Sequence, residues 1–240
     1  MKLIVCKNYE EASRIAADIF AETLREKPSA VLGLATGSTP EGMYARLAEM
    51  HEKEELDFSK AKSYNLDEYY PISPDNHQSY RYFMEKHLFS KVNFKAGATH
   101  VLDGTASDAE AECRRYEAEI DEAGGIDLQI LGIGENGHIA FNEPGDYLHA
   151  ETHKTGLTES TIKANARFFS EGELMPNAAL TVGMGVIMRA KKVLLIATGA
   201  KKKAAIKELL SGRISTACPA SVLQMHPNAV IICDEAALDA

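Results

Sequence analysis

Short, almost continuously apolar runs alternate along this chain with stretches whose apolar positions recur at helical spacing. Leu3 to Cys6 is the first run, and Glu10 to Leu24 follows with Ala12, Ile15, Ala16, Ile19, Phe20 and Leu24 on one helical face. Ala30 to Ala35 (AVLGLA) predicts a buried strand, and Glu41 to Lys53 predicts a helix with Met43, Leu47 and Met50 aligned. Lys62 to Leu66, Asp127 to Gly132 (DLQILG), Lys192 to Thr198 (KVLLIAT) and Ala229 to Cys233 (AVIIC) predict further strands. Ala200 to Leu210 predicts a helix that stops at Gly212. Apolar strands alternating with amphipathic helices imply an α/β fold whose parallel sheet is covered on both faces. Such sheets bind ligands beyond the carboxyl ends of their strands, so the loops after the apolar runs are where chemistry is expected.

Thr36-Gly37-Ser38-Thr39-Pro40 is such a loop, between AVLGLA and a helix. Gly37 lets the backbone approach a ligand closely. Ser38 and Thr39 place hydroxyls beside the N–H groups of a helix N-terminus, which suits a phosphate. The same residues also read as a plain helix cap with proline near the first turn. Asn65-Leu66-Asp67-Glu68-Tyr69-Tyr70-Pro71 ends the next run with adjacent carboxylates, which read as a general base or as a solvated turn.

Gly132-Ile133-Gly134-Glu135-Asn136-Gly137 matches GxGxxG after a strand, yet a dinucleotide does not fit. Pro144-Gly145 breaks the chain before a binding helix could run its course, and no acidic residue ends a second strand about 20 residues on. What remains is a glycine-rich loop presenting Asn136, His138 and Glu143. A histidine flanked by a carboxylate and an amide suits acid–base work. A metal needs three or more ligands in reach, and only His138 and Glu143 are local. Ala166-Arg167-Phe168-Phe169 and Lys201-Lys202-Lys203 supply cations, each of which also reads as a solvated surface group.

Composition narrows the class. The 240 residues, 45% apolar and 25% charged, suit one α/β domain or two small ones. No apolar run approaches the roughly 20 residues of a membrane span, and the run Met1 to Cys6 is too short for a signal peptide. Cys6, Cys113, Cys218 and Cys233 are scattered without a CxxC pair, as in a reduced cytosolic protein. The net charge of −9 argues against a nucleic-acid backbone as partner, but not against a small phosphorylated substrate held by a few local donors.

At GIGENGHIAFNEPG the chain resembles the glucosamine-6-phosphate deaminases. LGLATGSTPEGMY, NLDEYYP, DAEAECRRYE, ANARFF, ALTVGMG and PASVLQMHP extend the resemblance from about residue 30 to residue 234. GHIAFNEP with NLDEYYP is the specific combination, whereas TGSTP is similar in the related 6-phosphogluconolactonases. The resemblance implies a three-layer, Rossmann-like α/β fold, with a mostly parallel sheet and helices on both faces. Residues 1–240 would form a single domain with a lid at about 147–171, without nucleotide, metal or organic cofactor. It implies a cytoplasmic, hydrolase-class enzyme of amino-sugar catabolism, turning D-glucosamine 6-phosphate and water into D-fructose 6-phosphate and ammonia. Its partner would be that small sugar phosphate, with no nucleic acid and no membrane, and it would act as a monomer or small homo-oligomer.

The resemblance also implies roles. Asp67 is the base that moves the C2 proton to C1, and His138 is the acid–base group that opens the pyranose. Glu143 and Asn136 hold and tune His138. Gly37, Ser38, Thr39, Arg167 and Lys202 form the phosphate site, with Lys202 preferred because it stands three residues after Gly199. Some members carry aspartate at position 136; asparagine there cannot ionise, which makes Glu143 the local carboxylate for His138.

Two other readings compete. A 6-phosphogluconolactonase-like hydrolase would leave NLDEYYP and GHIAFNEP without a role. A sugar-phosphate sensor would normally bring a basic helix-turn-helix, and none precedes Leu3. Some larger relatives bind N-acetylglucosamine 6-phosphate between subunits through a hydroxyl and cations just after the FNEP segment, plus a C-terminal tail. Asp146, His153 and Thr155 stand at those places here, with Lys154 the nearby cation, and the chain ends soon after Asp234-Glu235. The expectation is hyperbolic kinetics without that activator.

Overall fold

The computed structural model describes residues 1–158 and 175–238. Its elements begin β1 (Lys2–Cys6), α1 (Tyr9–Glu26), β2 (Val31–Leu34), α2 (Ser38–Glu52), β3 (Lys62–Asn65), β4 (Asp67–Tyr70), α3 (Tyr80–His87) and β5 (Thr99–His100). They continue α4 (Ala109–Glu122), β6 (Leu128–Leu131), β7 (His153–Gly156), β8 (Ala178–Thr181), α5 (Met184–Arg189), β9 (Val193–Ala197), α6 (Lys203–Leu209) and β10 (Ala229–Asp234). Seven strands form the main sheet in the order β1-β10-β9-β6-β2-β3-β5, and every neighbouring pair in it is parallel. This is the mostly parallel α/β architecture expected from the alternating pattern.

Local chemistry sets the helix starts. Asn8 accepts the Glu11 N–H at 2.9 Å and opens α1, which buries Ala12, Ala16, Phe20 and Leu24. Asp108 does the same for α4 by accepting the Glu110 and Ala111 N–H groups. Helix α2 begins at Ser38, three residues before the predicted Glu41, because Pro40 fits a first turn whose N–H groups have no intrahelical acceptor. Ala200 to Leu210 divides into a 3₁₀ turn at Ala200–Lys202 and α6. Gly212, at φ +76°, ends that segment as expected.

The core lies between the sheet and its helices, with Phe20, Tyr44, Phe58 and Tyr116 fully buried. Far from the strand carboxyl ends, Asp127 ties the amino ends of the strands together. It accepts Lys27 Nζ and the Val31 N–H at 2.8 Å and Lys191 Nζ at 2.7 Å.

A second, antiparallel sheet, β4-β8-β7, was not legible in the sequence. Strand β4 is Asp-Glu-Tyr-Tyr, too polar to read as a buried strand, yet its first three residues are buried. Leu66 alone separates β3 from β4. Its N–H donates to Leu34 O in the main sheet at 3.0 Å, and its carbonyl accepts the Val182 N–H at 2.8 Å. The chain thus passes from one sheet to the other within a single residue. Of the span expected as a lid, residues 147–158 are described and include β7; its remainder lies outside the described residues. Among the described residues, no helix is long and apolar enough to cross a membrane.

Candidate active site

The site is built from the segments at the carboxyl ends of β2, β3, β6 and β9. After β2, Gly37 turns the chain at φ +86°, a conformation favouring glycine, and leads directly into α2. No side chain caps that helix. The first N–H groups of α2 are therefore left without a side-chain acceptor, as suits an anion, and the same turn carries the hydroxyl-bearing Ser38 and Thr39. Tyr9, which the sequence did not single out, steadies this turn: its hydroxyl donates to Ser38 O and accepts the Gly42 N–H, both at 2.8 Å.

Thr39 lies against the start of the glycine loop, since a Cβ added to Gly132 would stand 3.4 Å from Thr39 Oγ1. From the next residue, Ile133, the carbonyl accepts Lys202 Nζ at 2.6 Å. The Gly132-Ile133 backbone thus has both the Thr39 hydroxyl and the Lys202 ammonium beside it. Burial pulls the Lys202 ammonium below its ordinary pKa; Glu135 works against that, and Lys201 adds to it. The turn that carries Lys202 is held by Asp234 at the end of β10, whose carboxylate accepts the Gly199 N–H at 2.9 and 3.1 Å. Nothing in the sequence marked Asp234 for this. Arg167 lies outside the described residues.

The glycine loop positions His138 closely. Gly134 N–H donates to His138 O at 2.9 Å, and the His138 ring covers Gly134 so tightly that an added Cβ would land among the ring atoms. His138 Nδ1 is 3.3 Å from Glu143 Oε2, close enough for an ion pair but without the alignment of a hydrogen bond. Asn136 contacts that carboxylate rather than the ring. Its Nδ2 donates to Glu143 Oε2 at 2.7 Å, and its Oδ1 accepts the His138 backbone N–H at 3.2 Å. Asparagine at 136 therefore orients Glu143 and the loop, and Glu143 faces the imidazole.

Asp67 and Glu68 do not form a solvated turn; both carboxyls are buried. Burial, and then the neighbouring Glu68, push the Asp67 carboxyl well above the usual carboxylate range. Burial pushes Glu68 up to about 7, against the three N–H bonds it accepts from Tyr80, Arg81 and Tyr69. A carboxyl of raised pKa at a strand end is suited to taking a carbon-bound proton near neutral pH. Among the described residues, no group of three or more His, Cys, Asp or Glu side chains is placed to hold a metal ion.

Comparison with known proteins adds identity to this geometry. Residues 8–232 match the family model described as glucosamine-6-phosphate isomerases/6-phosphogluconolactonase. The chain is 53% identical over 237 residues to a glucosamine-6-phosphate deaminase of Thermoanaerobacter pseudethanolicus, covering 99% of this chain and 94% of the relative. It is 54% identical over 235 residues to a deaminase of the same name from Clostridium beijerinckii, covering 98% and 97%. A solved structure of a monomeric glucosamine-6-phosphate deaminase superposes with a TM-score of 0.95 at 45% identity, covering 99% of this chain and 98% of that one. A 6-phosphogluconolactonase structure from Thermotoga maritima shares the fold, with a TM-score of 0.77 at 22% identity and 98% and 99% coverage.

Proposed function

Because the chain belongs to the family of glucosamine-6-phosphate isomerases and 6-phosphogluconolactonases, we propose that it is a glucosamine-6-phosphate deaminase. It converts D-glucosamine 6-phosphate and water to D-fructose 6-phosphate and ammonia, a step of amino-sugar catabolism. The observation that carries this reading is the pairing of a buried, weakly acidic Asp67 with a His138–Glu143 contact on the glycine loop. A lactone hydrolysis has no carbon-bound proton to move and gives Asp67 no task. Full-length similarity at 53% to relatives named for the deaminase supports the same choice.

The groups account for each step. The first turn of α2, with Gly37, Ser38 and Thr39, receives the phosphate together with Lys202 and Arg167. Binding energy from that remote end fixes the reacting carbons. His138, kept in register by Glu143 and Asn136, takes the proton of the C1 hydroxyl and delivers one to the ring oxygen, which opens the ring to the aldehyde. Asp67 then removes the proton from C2 while the aldehyde oxygen gains one from the substrate's own ammonium group, leaving an enolamine, and Asp67 returns its proton to C1. The resulting iminium carbon at C2 adds water and releases ammonia. Residues from about 147 to 171 serve as a lid that keeps water from the enolamine until C1 is protonated. No metal or organic cofactor enters this scheme. The enzyme acts in the cytoplasm as a monomer or small homo-oligomer, a state supported by the monomeric relative.

The test is incubation of the purified protein with glucosamine 6-phosphate, measuring ammonia and fructose 6-phosphate, with 6-phosphogluconolactone as the alternative substrate. Equimolar ammonia and fructose 6-phosphate are expected. Hydrolysis of the lactone without ammonia release from the amino sugar would overturn the reading.

A further inference from the structure

Glu68 is a buried, fully hydrogen-bonded acid beside the proposed base, and ring opening, proton transfer and deamination leave it without a task. Its side chain leaves β4 next to Asp67 and reaches the start of α3. Oε1 accepts the Tyr69 N–H at 2.9 Å and the Tyr80 N–H at 2.8 Å, and Oε2 accepts the Arg81 N–H at 3.0 Å. Tyr80 and Arg81 are the first two residues of α3, so the carboxylate meets the positive end of an eight-residue helix. Ser79 caps the same end by accepting the Tyr82 N–H at 3.0 Å. Two acceptors are thus supplied to one helix start, and only one of them is needed for an ordinary cap.

We propose that Glu68 is a positioning residue for Asp67, clamping β4 to α3 and tuning, by its buried charge, the readiness of Asp67 to take the C2 proton. The proposal rests on the reading of Asp67 as the base. It has two separable parts. The clamp holds the backbone of β4 against α3 while β8 holds its other side, where Asp67 pairs with Thr181. The charge acts across one residue of strand in a setting with little water to screen it, where like charges disfavour each other's ionised form.

The groups facing the pair make that charge effective. Tyr69 comes from β4 itself, Tyr80 and Arg81 from α3, Tyr116 from α4 and Thr181 from β8. Tyr116 is buried and Tyr80 half-buried; burial pushes the ionisation of both phenols far up, so they bring no charge at neutral pH. Arg81 turns its guanidinium away, donating to Glu85 Oε1 at 2.7 Å and to Thr99 O at 3.1 Å, and gives Glu68 only its backbone N–H. Where Glu68 is ionised, its charge is balanced by N–H dipoles rather than by a cation, and Asp67 feels it. A more basic Asp67 is a better acceptor for a carbon-bound proton near neutral pH.

The test uses the full chain with three substitutions. Glu68→Gln keeps the length and one accepting oxygen but removes the charge. Glu68→Asp keeps the charge but shortens the reach. Asp67→Asn tests the underlying reading by itself. For each variant that melts as a folded protein, kcat, KM and the pH profile of kcat/KM are measured with glucosamine 6-phosphate. Glu68→Gln is expected to move the acid limb to lower pH by on the order of one unit and to lower kcat about tenfold, with KM little changed. Glu68→Asp is expected to leave the limb in place while kcat falls. An unmoved limb in Glu68→Gln, or the same shift in Glu68→Asp, would overturn the tuning role. Near-normal turnover in Asp67→Asn would instead remove the base on which the proposal depends. If Glu68→Gln does not fold, Glu68→Asp tests the positioning role: a fall in kcat with KM and the limb in place supports it, and a parent-like kcat or a displaced limb contradicts it.

Discussion

Asp67 stands opposite Thr181 in the β4–β8 ladder, and the Thr181 hydroxyl accepts the Phe141 N–H at 3.2 Å. Phe141 is three residues beyond His138, so the strand that carries the proposed base and the loop that carries the ring-opening group share one anchor. Asn142 reinforces it, its Nδ2 donating to Ile139 O at 3.0 Å and to Val182 O at 2.9 Å. The two groups of the proposed chemistry sit on separate segments, yet both segments are fixed to β8 and the residue after it.

The role of Asp67 can be checked directly. Asp67→Asn is expected to bind substrate about as well as the parent and to lose about 10²–10⁴-fold in kcat. Exchange of the C2 proton with solvent should fall in step. The parent kcat/KM should decline as pH falls through the Asp67 pKa, because the base is then protonated. That limb should lie above the ordinary carboxylate range, as burial and Glu68 require. Measured turnover near that of the parent would take Asp67 out of the scheme.

His138 is tested by chemistry and by space. His138→Gln should impair reaction of the cyclic sugar more than that of a ring-opened analogue, since its proposed task is ring opening. Gly134→Ala should act on the same group without touching its identity. The new Cβ would occupy the place of the imidazole, and the ring must leave its position facing Glu143. A displacement of that kind costs about 10²-fold in rate. Equal losses on cyclic and open substrates in both variants would argue against the assignment.

The central sheet was legible because the strands β2, β6, β9 and β10 are apolar nearly throughout and the long helices α1 and α2 have clear apolar faces. The second sheet was not. Asp67-Glu68-Tyr69-Tyr70 has the composition of a turn, and its burial depends on partners far along the chain, Ala178–Thr181. The site loops stand out by their glycines and their position after strands, and the resemblance supplied their roles. Tyr9, Asp234 and Glu68 act through backbone groups of distant segments, at separations of 29, 35 and 12 residues. No local spacing signals such contacts. Asn136 shows the converse: its place in the loop is clear from the sequence, while its contact with Glu143 rather than with the ring follows from how the loop folds back between residues 136 and 143.

Stability should respond to acid through Asp127. Burial alone would raise this carboxyl, but hydrogen bonds from Lys191, Lys27 and the Val31 N–H bring it below its ordinary value. A depressed folded-state value contributes stability that is present above the unfolded value, about 3.9, and is lost as pH falls through the folded one. Asp127→Asn should remove that dependence and lower stability by about 1–3 kcal/mol at pH 7, since a buried acceptor loses its charge. Activity of the folded variant should be unchanged, because Asp127 lies at the end of the sheet away from the site. Urea unfolding at pH 7 and at pH 3, below the unfolded value, measures both effects. A parent–variant difference that is equal at the two values would contradict the linkage.

N-acetylglucosamine 6-phosphate should leave the kinetics unchanged. An activator's phosphate would need cations at the segment just after Pro144, and the side chains found there are differently engaged. His153 stacks on His149 with ring centroids 4.1 Å apart, and its Nδ1 lies 2.9 Å from Glu151 O. Burial lowers its pKa, partly offset by that backbone contact, so it is neutral at pH 7. Lys154, the nearby cation, holds its ammonium 4.8 Å from the centre of the Tyr70 ring. Drawing it to a phosphate would cost that cation–π contact, about 0.5–1 kcal/mol where solvent reaches it. Thr155 offers a hydroxyl in β7 that already lies 3.4 Å from Gly156 O, and Asp146 would repel an anion. Without differential binding of the effector to two states there is no coupling free energy. Substrate titrations with and without saturating N-acetylglucosamine 6-phosphate should therefore give superimposable hyperbolas. A sigmoidal curve that the effector converts to a hyperbola would show that this segment, or another surface, binds the activator after all.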